Sequence, residues 1–484
     1  MMKTENIYIV LILLVSSFFY SCDDEDSFST SSSNILTFST DTVKLDTVFS
    51  TVPSSTRSFW VYNKSGDGLR KINVRLENGN QAGFRVNVDG TYLSPSSGFQ
   101  VNDIEVRNKD SIRVFVELTS PVNNGDMPLK IEDNIVFTLE SGVQQKVNLM
   151  AYSWDATIMK NVVVDKDSIL DGVTRPIVVY GGITVNEGAT LTISPGTTIF
   201  FHADAGIDVS GKLKCLGEAG NEITLRGDRL DNMFDYLPYD YVSGQWQGIR
   251  LRETSYDNEI RHTDIHGTFD GLKVDSADVS KLKLNIENST IHNCQGYALT
   301  AENARIIINN CEFTNALHNC IAVHGGVTDI NNCTFAQFYP FDSNRGSALF
   351  FSMNKYPQSS FTCINSLITG YADDEMMIET NTDEGENKAN YLFDHCIIRT
   401  PKIITEDSVH FVSVVFEEYK DTVKTGKKHF RKIDSQNLRY DFRLDSISPA
   451  VNAADPASAM LYDRYGQRRD DKPDVGAYEF LKEE

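Results

Sequence analysis

Residues 35–155 alternate between apolar and polar side chains. Segments such as "RSFWVYN" (57–63), "KINVRLEN" (71–78) and "SIRVFVELTS" (111–120) carry an apolar residue at every second position, which is typical of strands with one buried face. Gly, Asn, Asp and Pro lie between the segments as turn residues. Because no helical period interrupts the series, we predict an antiparallel β-sandwich for this region.

The rhythm changes from about residue 181 onward. Short apolar triplets are separated by tight Gly, Asn and Pro turns, and no helical segment connects one to the next. These triplets are Ile183–Val185, Leu191–Ile193, Ile207–Val209 and Ile223–Leu225. Strands this short, recurring along the chain, predict a solenoid in which each coil buries its inner face against the next coil.

A four-residue repeat supports the solenoid. Its pattern is Asn or His, a small residue, any residue, and then Ile or Phe. The copies are "HTDI" (262–265), "NSTI" (288–291), "NCEF" (310–313), "NCTF" (332–335), "NSLI" (365–368) and "HCII" (395–398). Residues one coil apart stack in a parallel solenoid, so the first position predicts a ladder of Asn and His side chains at a coil bend.

The same alignment assigns a role to three of the cysteines. The second position of the repeat is filled by Thr263, Ser289, Cys311, Cys333, Ser366 and Cys396. Thiol and hydroxyl interchange there, as expected of a small, buried packing position. Seven cysteines follow Cys22, none of them in a C-x-x-C pair, so neither a zinc site nor a complete set of disulfides is predicted.

The N-terminus has the features of a targeting segment. The apolar run "IYIVLILLVSSFFY" (7–20) is too short to span a bilayer, and Ser21-Cys22 follows it, a pattern that resembles the lipobox of bacterial lipoproteins. The acids Asp23 to Asp26 resemble the surface-export signal of Bacteroidetes lipoproteins. The resemblance implies a lipid on Cys22, attachment to the outer membrane through that lipid, and exposure at the cell surface.

Two further resemblances concern the folded regions. The sandwich resembles immunoglobulin-like modules at the front of Bacteroidetes surface lipoproteins, and the stretch from residue 181 resembles the opening coils of right-handed parallel β-helices of the pectate-lyase-like class. The segment 441–480, with Asp463, Gly466 and Arg469 followed by "PDVGAYE" (473–479), resembles the terminal segment of many secreted β-helix proteins, where capping of the last coil is expected.

The predicted fold is therefore all-β, an immunoglobulin-like β-sandwich followed by a right-handed parallel β-helix. The predicted organisation is a lipoprotein signal peptide (1–21), an acidic and Ser-rich tether (22–34), the sandwich (35–155), the β-helix (156–440) and a C-terminal capping segment (441–484).

The net charge of the protein limits the classes of partner that it can bind. The formal net charge is −22, which argues against nucleic acid because no basic patch offsets that field. It also disfavours a polyanionic polysaccharide unless Ca²⁺ bridges the two. No other cofactor is expected from the sequence.

The loop 226–246 is one candidate site. It carries Tyr236, Tyr239, Tyr241 and Trp246 beside several aspartates, and exposed aromatic rings with flanking carboxylates suit a glycan ligand. The alternative is that the loop folds its aromatic side chains onto the body of the protein.

Catalytic candidates lie on the outer face of the predicted helix. A lyase of this fold class holds Ca²⁺ with carboxylates and uses Arg or Lys as the base, which points to Arg250, Arg252, Asp264 and Asp373. The acids Asp373, Asp374 and Glu375 are candidate Ca²⁺ ligands. Both sets are equally what a solvated face or loop contains.

The leading functional hypothesis is a non-catalytic binding or adhesion module, most plausibly for a glycan. A polysaccharide lyase or glycoside hydrolase is the second hypothesis, since β-helices carry many activities. The third is a structural partner of an outer-membrane import complex.

Overall fold

The computed structural model describes residues 27–356, 358–380 and 390–481. The chain divides into two compact units, Met1–Trp154 and Asp155–Glu484, and each unit is described by itself below. The predicted signal peptide and Cys22 lie outside the described residues. No helix among the described residues is long and apolar enough to cross a bilayer.

Ten strands form the described part of the first unit. They are β1 Leu36–Phe38, β2 Thr42–Phe49, β3 Arg57–Asn63, β4 Leu69–Leu76, β5 Phe84–Val88, β6 Thr91–Tyr92, β7 Gln100–Val106, β8 Ser111–Leu118, β9 Leu129–Thr138 and β10 Gln144–Trp154. A single 3-10 turn, Pro95–Ser97, lies between β6 and β7.

These strands form two five-stranded sheets, in the orders β1-β3-β8-β5-β6 and β2-β10-β9-β4-β7. All pairs are antiparallel except β2 with β10. Strand β8 alternates buried and accessible residues along its length, and its Val114 and Val116 join Phe59, Val61 and Phe137 in the core between the sheets. The predicted β-sandwich is thus confirmed.

The described part of the predicted tether, residues 27–34, contacts this sandwich. Phe28 forms a parallel bridge with Gly68, and the guanidinium of Arg70 lies 4.9 Å from the centre of its ring. Ser27 Oγ donates to Asp67 at 2.6 Å. Phe28 thus attaches this part of the tether to the sandwich, because its ring finds a cationic partner and a glycine surface.

Thirty-two strands form the second unit. They are β11 Thr157–Val164, β12 Ser168–Leu170, β13 Ile177–Val185, β14 Thr190–Ile193, β15 Thr198–Phe201, β16 Ile207–Val209, β17 Lys212–Leu216, β18 Ile223–Gly227, β19 Asn232–Phe234, β20 Leu237–Pro238, β21 Ile249–Leu251, β22 Asn258–Arg261, β23 Thr263–His266, β24 Leu272–Val274, β25 Leu282–Glu287, β26 Thr290–Cys294, β27 Leu299–Glu302, β28 Arg305–Asn309, β29 Glu312–Ala316, β30 Ile321–His324, β31 Val327–Asn331, β32 Thr334–Gln337, β33 Leu349–Ser352, β34 Ser360–Ile364, β35 Leu367–Gly370, β36 Met376–Glu379, β37 Tyr391–Asp394, β38 Ile397–Ile398, β39 Phe411–Val412, β40 Val415–Phe416, β41 Phe430–Asp434 and β42 Arg439–Leu444, as far as the described residues extend. Short 3-10 turns occur at Tyr239–Tyr241, Glu406–His410 and Gly426–His429.

Most of these strands wind as a parallel solenoid with three strands to a coil. One strand of each coil enters a ten-stranded parallel sheet, and the next two enter an eighteen-stranded sheet. For example, β22 is followed by β23 and β24, and the next coil supplies β25, β26 and β27 in register with them. Because like positions stack, Ile260, Ile286, Ile308 and Ile330 form one continuous buried ladder.

The bend between the two sheets is made by the predicted Asn and His column. Every member has a left-handed backbone, with φ between 41° and 50°. These residues are His262, Asn288, Asn310, Asn332, Asn365 and His395. Asn tolerates this conformation better than most residues because its short polar side chain bonds locally. The predicted ladder at a coil bend is confirmed.

The small position after the bend carries a hydrogen-bond ladder. Cys311 Sγ donates to the carbonyl of Asn309, two residues back, at 3.1 Å, just as Ser289 Oγ donates to Glu287 O at 2.8 Å. The same thiol or hydroxyl accepts from the backbone N–H one coil earlier, as Ser366 Oγ does from Cys333 N at 3.0 Å. Thiol and hydroxyl are therefore interchangeable at this position. All seven cysteines after Cys22 are free and buried, and burial raises the pKa of Cys333 well above its usual value, so a packing role is confirmed.

The C-terminal segment packs along the side of the solenoid. Asp455 N bonds Asn365, Tyr462 O accepts from Asn310, and Arg464 reaches Glu222. Successive contacts thus run back toward earlier coils, and a second apolar cluster containing Phe442 and Tyr478 forms against the outer face of the later ones. The segment therefore completes the outer surface of coils that are far from it in sequence.

The left-handed bend predicts that a Gly variant is more stable than an Ala variant at this position, which reverses the usual order. At Asn288, where φ is +49°, we expect the Asn288→Ala variant to be less stable than Asn288→Gly by about 1 kcal/mol, because Ala pays the left-handed penalty. Both variants lose the same bond to His262. Chemical denaturation measures the difference.

Asn285, within strand β25 of the same coil, is the matched control. There Gly should be less stable than Ala. Equal stability of the two Asn288 variants would contradict the structural role given to the left-handed bend.

Candidate functional site

Two columns of polar side chains face outward from neighbouring strands β23, β26 and β29. The register places Asp264 beside Thr290 and Thr290 beside Glu312, and it places His266 beside His292. Parallel strands lie about 4.8 Å apart, so side chains in one column are within mutual reach. The alternation of each strand buries Ile265 and Phe313 inward and leaves the polar residues outside.

Asp264 lies between two imidazoles. Its Oδ1 is 2.7 Å from His266 Nδ1 and 3.2 Å from His292 Nε2, and the two rings stack with centroids 4.8 Å apart. His266 Nε2 is also 3.0 Å from Asp240 Oδ1. The same carboxylate oxygen is 2.6 Å from the Arg226 guanidinium. The four-residue repeat on the strands and the loop before β21 thus meet in one polar network.

The network is charged. Burial alone would lower the pKa of His266, but the carboxylates of Asp264 and Asp240 outweigh it and raise this pKa to about 9. Burial would raise the pKa of both acids, yet the neighbouring imidazoles hold the pKa of Asp264 well below its usual value and that of Asp240 at about 2. His266 therefore donates from both ring nitrogens, and both aspartates are ionised.

Glu312, in the same column as Asp264, has a different environment. The side chain is buried; Tyr478 OH donates to its Oε2 at 2.5 Å and Thr314 Oγ1 donates to its Oε1 at 3.0 Å. Burial raises the pKa of Glu312 by more than these bonds lower it. The two carboxyl groups of the column thus differ in protonation tendency because one faces imidazoles and the other a tyrosine.

These columns form the floor of a cleft of about 490 Å³. Its walls come from loop residue Tyr241 and from the C-terminal segment, where Arg464 donates to Glu222 at 2.7 Å and to Thr290 at 3.1 Å. Its lining comprises Glu222, Tyr241, Asp264, Thr290, His292, Asn293, Glu312, Thr314, Asn315, Leu438, Tyr440, Asp441, Phe442, Arg443, Arg464, Tyr465 and Tyr478.

Two lining atoms are buried without a hydrogen-bond partner among the described residues. They are Asn315 Oδ1 and Tyr440 OH. Buried polar atoms are nearly always satisfied by protein, water or ligand. Both atoms belong to side chains that line the cleft, and an acceptor and a hydroxyl without a protein partner suit a ligand rich in hydroxyl groups.

Of the catalytic candidates named from the sequence, the structure brings only Asp264 into this cleft. Arg250 and Arg252 line a separate groove of about 470 Å³ with Lys273 and Asp270. Each is already paired, Arg250 with Asp275 at 2.9 Å and Arg252 with Asp208 through two bonds. Asp373 is an exposed turn residue and does not join either arginine in this groove.

The aromatic loop does not form one platform. Trp246 is fully buried, stacks on Phe201 at 4.3 Å and donates to His266 O at 2.8 Å. The expectation that it binds a glycan is therefore wrong, because its ring completes the solenoid core. Tyr239 is covered by the guanidinium of Arg229 at 3.8 Å, and Tyr236 is exposed outside the cleft. Only Tyr241 of this set lines the cleft.

The three acids considered for Ca²⁺ also separate. Asp373 and Asp374 are exposed, whereas Glu375 is buried, and its oxygens accept from the backbone N–H groups of Ala372 and Ala348. Burial raises the pKa of Glu375 to about 8. Among the described residues, these acids do not converge on one ion, because the turn directs one inward and two outward.

A second imidazole cluster resembles a charge-relay arrangement. His429 Nδ1 is 2.7 Å from Ser448 Oγ, and its Nε2 bonds Glu417. All three side chains are buried, and Ser448 Oγ also accepts from Ala450 N. This cluster is a structural tie between the last coils and the C-terminal segment, since a nucleophile must be reached by its substrate.

The sequence reasoning missed His292, Glu312, Asn315, Tyr440 and Arg464. The signal for the first two was present in the repeat, because its third position gives Asp264, Thr290 and Glu312 and the residue directly after the repeat is His266 or His292 in two copies. The other residues depend on a C-terminal segment more than 100 residues away and on a left-handed residue inside β29. No local pattern marks them.

A right-handed β-helix family model matches residues 160–335. The match confirms the handedness predicted for the solenoid. No curated protein matches the chain.

Solved structures show weaker similarity. The catalytic unit of a GH87 alpha-1,3-glucanase from Streptomyces thermodiastaticus is 12% identical, covers 70% of this chain and 62% of that chain, and has a TM-score of 0.24. A family 123 glycoside hydrolase from Clostridium perfringens is 9% identical over 25% of this chain and 26% of that chain, with a TM-score of 0.18. The CooA pilin subunit of enterotoxigenic Escherichia coli is 9% identical over 24% of this chain and 96% of the pilin chain, with a TM-score of 0.18. The present chain thus spans about a quarter of the family 123 enzyme, and scores this low do not bear on function.

The placement of the loop aromatics predicts opposite effects for two substitutions. Trp246→Ala should lower the free energy of unfolding by about 3–5 kcal/mol, because it removes a large ring from a packed core. Tyr236→Ala should change it by no more than about 0.5 kcal/mol, because that ring is exposed. Urea denaturation compares them, and a mild effect of Trp246→Ala would contradict its placement in the core.

Proposed function

We propose that this protein is a cell-surface lipoprotein of the outer membrane that binds a neutral glycan in the cleft over β23, β26 and β29. The observation that carries the proposal is the pair of buried, unpartnered polar atoms, Asn315 Oδ1 and Tyr440 OH, in a cleft that also exposes tyrosine rings. Sugars offer hydroxyl groups to such atoms and apolar C–H faces to such rings.

The charge of the cleft favours a neutral ligand. Its acids include Glu222, Asp264 and Glu312, and both of its arginines are already engaged. Arg464 is paired with Glu222, and Arg443 makes two bonds to Asp441, at 2.8 and 2.5 Å. A polyuronate would need unpaired cations to offset its carboxylates, and the net charge of −22 adds to the repulsion.

The location is proposed from the N-terminal sequence. Cys22 behind an apolar run supplies a site for a lipid, and the acids Asp23 to Asp26 resemble an outward address. The first partner class of a lipid-anchored glycan binder at the cell surface is polysaccharide. The second is an outer-membrane protein that takes up the bound glycan. A purely structural role in such a complex is the alternative if no glycan binds.

Glycoside hydrolysis is the second candidate, and one observation favours it. Asp264 and Glu312 lie in one column with Thr290 between them, so their backbones are about 9–10 Å apart. Inverting glycosidases place two carboxyl groups about 6.5–9.5 Å apart. The column thus carries two carboxyl groups on strands whose backbone separation is of the same order as that distance.

The binding proposal predicts a selective effect of one hydroxyl group. Tyr440→Phe removes an unpartnered buried OH, so stability should be unchanged or slightly higher, while affinity for the glycan should fall about 5- to 10-fold. Affinity gels and calorimetry with a panel of neutral polysaccharides measure retention. Tyr236→Phe, an exposed tyrosine outside the cleft, is the control.

Absence of retention of the wild-type protein on every neutral glycan would refute the binding proposal. Equal binding by the Tyr440→Phe variant and the wild type would refute the place assigned to the glycan.

The same polysaccharides separate binding from hydrolysis. The binding proposal expects no new reducing ends after prolonged incubation. Reducing ends that disappear in Glu312→Gln, a variant that still binds the glycan, would establish the hydrolase candidate instead.

The anchor predicts how the wild type and two variants behave in the native host. Wild-type protein should fractionate with the outer membrane and be digested by protease added to intact cells. Cys22→Ser should release it from the membrane fraction, because the thiol that carries the lipid is gone. Replacing Asp23, Asp24, Glu25 and Asp26 with Ala should keep the membrane attachment and abolish digestion, and digestion of that variant would contradict the role given to the acids.

A further inference from the structure

We propose that Asp264, His266 and His292 bind a divalent first-row transition metal ion, with Zn²⁺ as the best fit. Their ligand atoms all lie within 4.8 Å of one another. Among the described residues, this is the one group of three or more metal-type ligands that meets this condition. The site lies at the cleft, but the proposal that it binds metal does not depend on the glycan.

The distances between the three ligand atoms are close to those between the ligands of a bound zinc ion. Asp264 Oδ1 is 2.7 Å from one imidazole nitrogen and 3.2 Å from the other. Ligands held at about 2.0–2.2 Å around tetrahedral zinc are about 3.4 Å apart. Small rotations of the three side chains would bring them to that spacing, and the proton on the His266 nitrogen that faces Asp264 would leave to solvent as the ion takes its place.

The imidazole of His266 is also held from the side that faces away from Asp264. The nitrogen of His266 that faces away from Asp264 bonds Asp240 at 3.0 Å, and Asp240 is held by Arg226 at 2.6 Å. A metal-bound histidine almost always bonds a carboxylate or carbonyl through its other nitrogen, which fixes the ring. Asp240 thus acts as a positioning residue, and it comes from the loop before β21 rather than from the solenoid strands.

The cluster differs from the other imidazole–carboxylate pairs of the chain. Among the described residues, His202 bonds Asp228 at 2.7 Å, His395 bonds Asp394 at 2.8 Å, and His429 bonds Glu417, each with one imidazole. At Asp264, two stacked imidazoles approach one oxygen atom. Two nitrogens and a carboxylate form a ligand set that suits zinc and its neighbours in the first row and not Ca²⁺ or Mg²⁺, which prefer oxygen.

Three protein ligands leave a coordination position open. His292 and Asp264 are partly accessible and both line the cleft, so the open position would face it. An ion there would supply a Lewis acid for an oxygen of the bound ligand. This use rests on the proposed glycan cleft, and it gives Asp264 a ligand role in place of the free base of the hydrolase candidate.

The test is zinc binding by the full-length protein in detergent after removal of metals with EDTA. Isothermal titration and competition with a chromophoric chelator should show one equivalent of Zn²⁺ bound, and Zn²⁺ should raise the melting temperature. Ca²⁺ and Mg²⁺ should not compete. His292→Ala should weaken zinc binding at least 100-fold, and Asp240→Asn about 10- to 100-fold.

His202→Ala is the matched control, because it removes an imidazole bonded to a carboxylate on the same solenoid, and it should bind zinc as the wild type does. His292→Gln provides a second variant of the partly exposed ligand if His292→Ala is unstable. Zinc binding no tighter in the wild type than in both His292 variants would overturn the proposal, as would equal binding of Ca²⁺.

Glycan retention with and without Zn²⁺ keeps the two proposals separate. Zinc binding without any glycan retention would uphold the metal site and reject the glycan. Retention that is indifferent to zinc, in a protein that does not bind zinc, would do the reverse.

Discussion

The left-handed turn between the two sheets is the constraint on which the second unit depends. Each coil must change direction sharply between its ten-stranded and its eighteen-stranded sheet, and one Asn or His with positive φ does so in six successive repeats. The small residue that follows bonds back to the carbonyl at the bend and accepts from the coil before it. The left-handed turn, the small residue after it and the stacking of coils therefore recur together in each repeat.

The same device sets the direction of the site residues. Because the bend fixes where β23, β26 and β29 begin, the third position of the repeat and the residue directly after the repeat face outward on these strands. A shift of one residue would exchange these positions with the buried Ile and Phe of the core. The positions of the polar columns thus follow from core packing. Asp, Glu and His occupy these positions on neighbouring coils.

The cleft itself needs two elements that the repeat does not contain. The loop before β21 contributes Tyr241 to the cleft and Asp240 to the polar network around Asp264, and it is tied down because Trp246 fills a place in the core. Strand β42 contributes Tyr440, and the C-terminal segment contributes Arg464 and Tyr478 and lies there because its apolar residues cover the outer face of later coils. A binding surface arises where these elements cross the polar columns.

The sequence by itself determined the fold class, the bend ladder and the packing role of the cysteines, because all three follow from periodicity. An alternation of two predicts a half-buried strand, and a recurring Asn followed by a small residue predicts stacked bends. The sequence also contained the columns of Asp264 and His266 with Glu312 and His292, since one alignment places them on one face.

Only the tertiary structure decided which aromatic residues are available and which polar residues meet. Trp246 and Tyr236 lie in the same aromatic loop of the sequence, yet one ring is buried and the other exposed. Arg464 and Glu222 are separated by 242 residues and meet through two bonds. Such pairings depend on how a long segment returns along the solenoid, and no local spacing encodes that path.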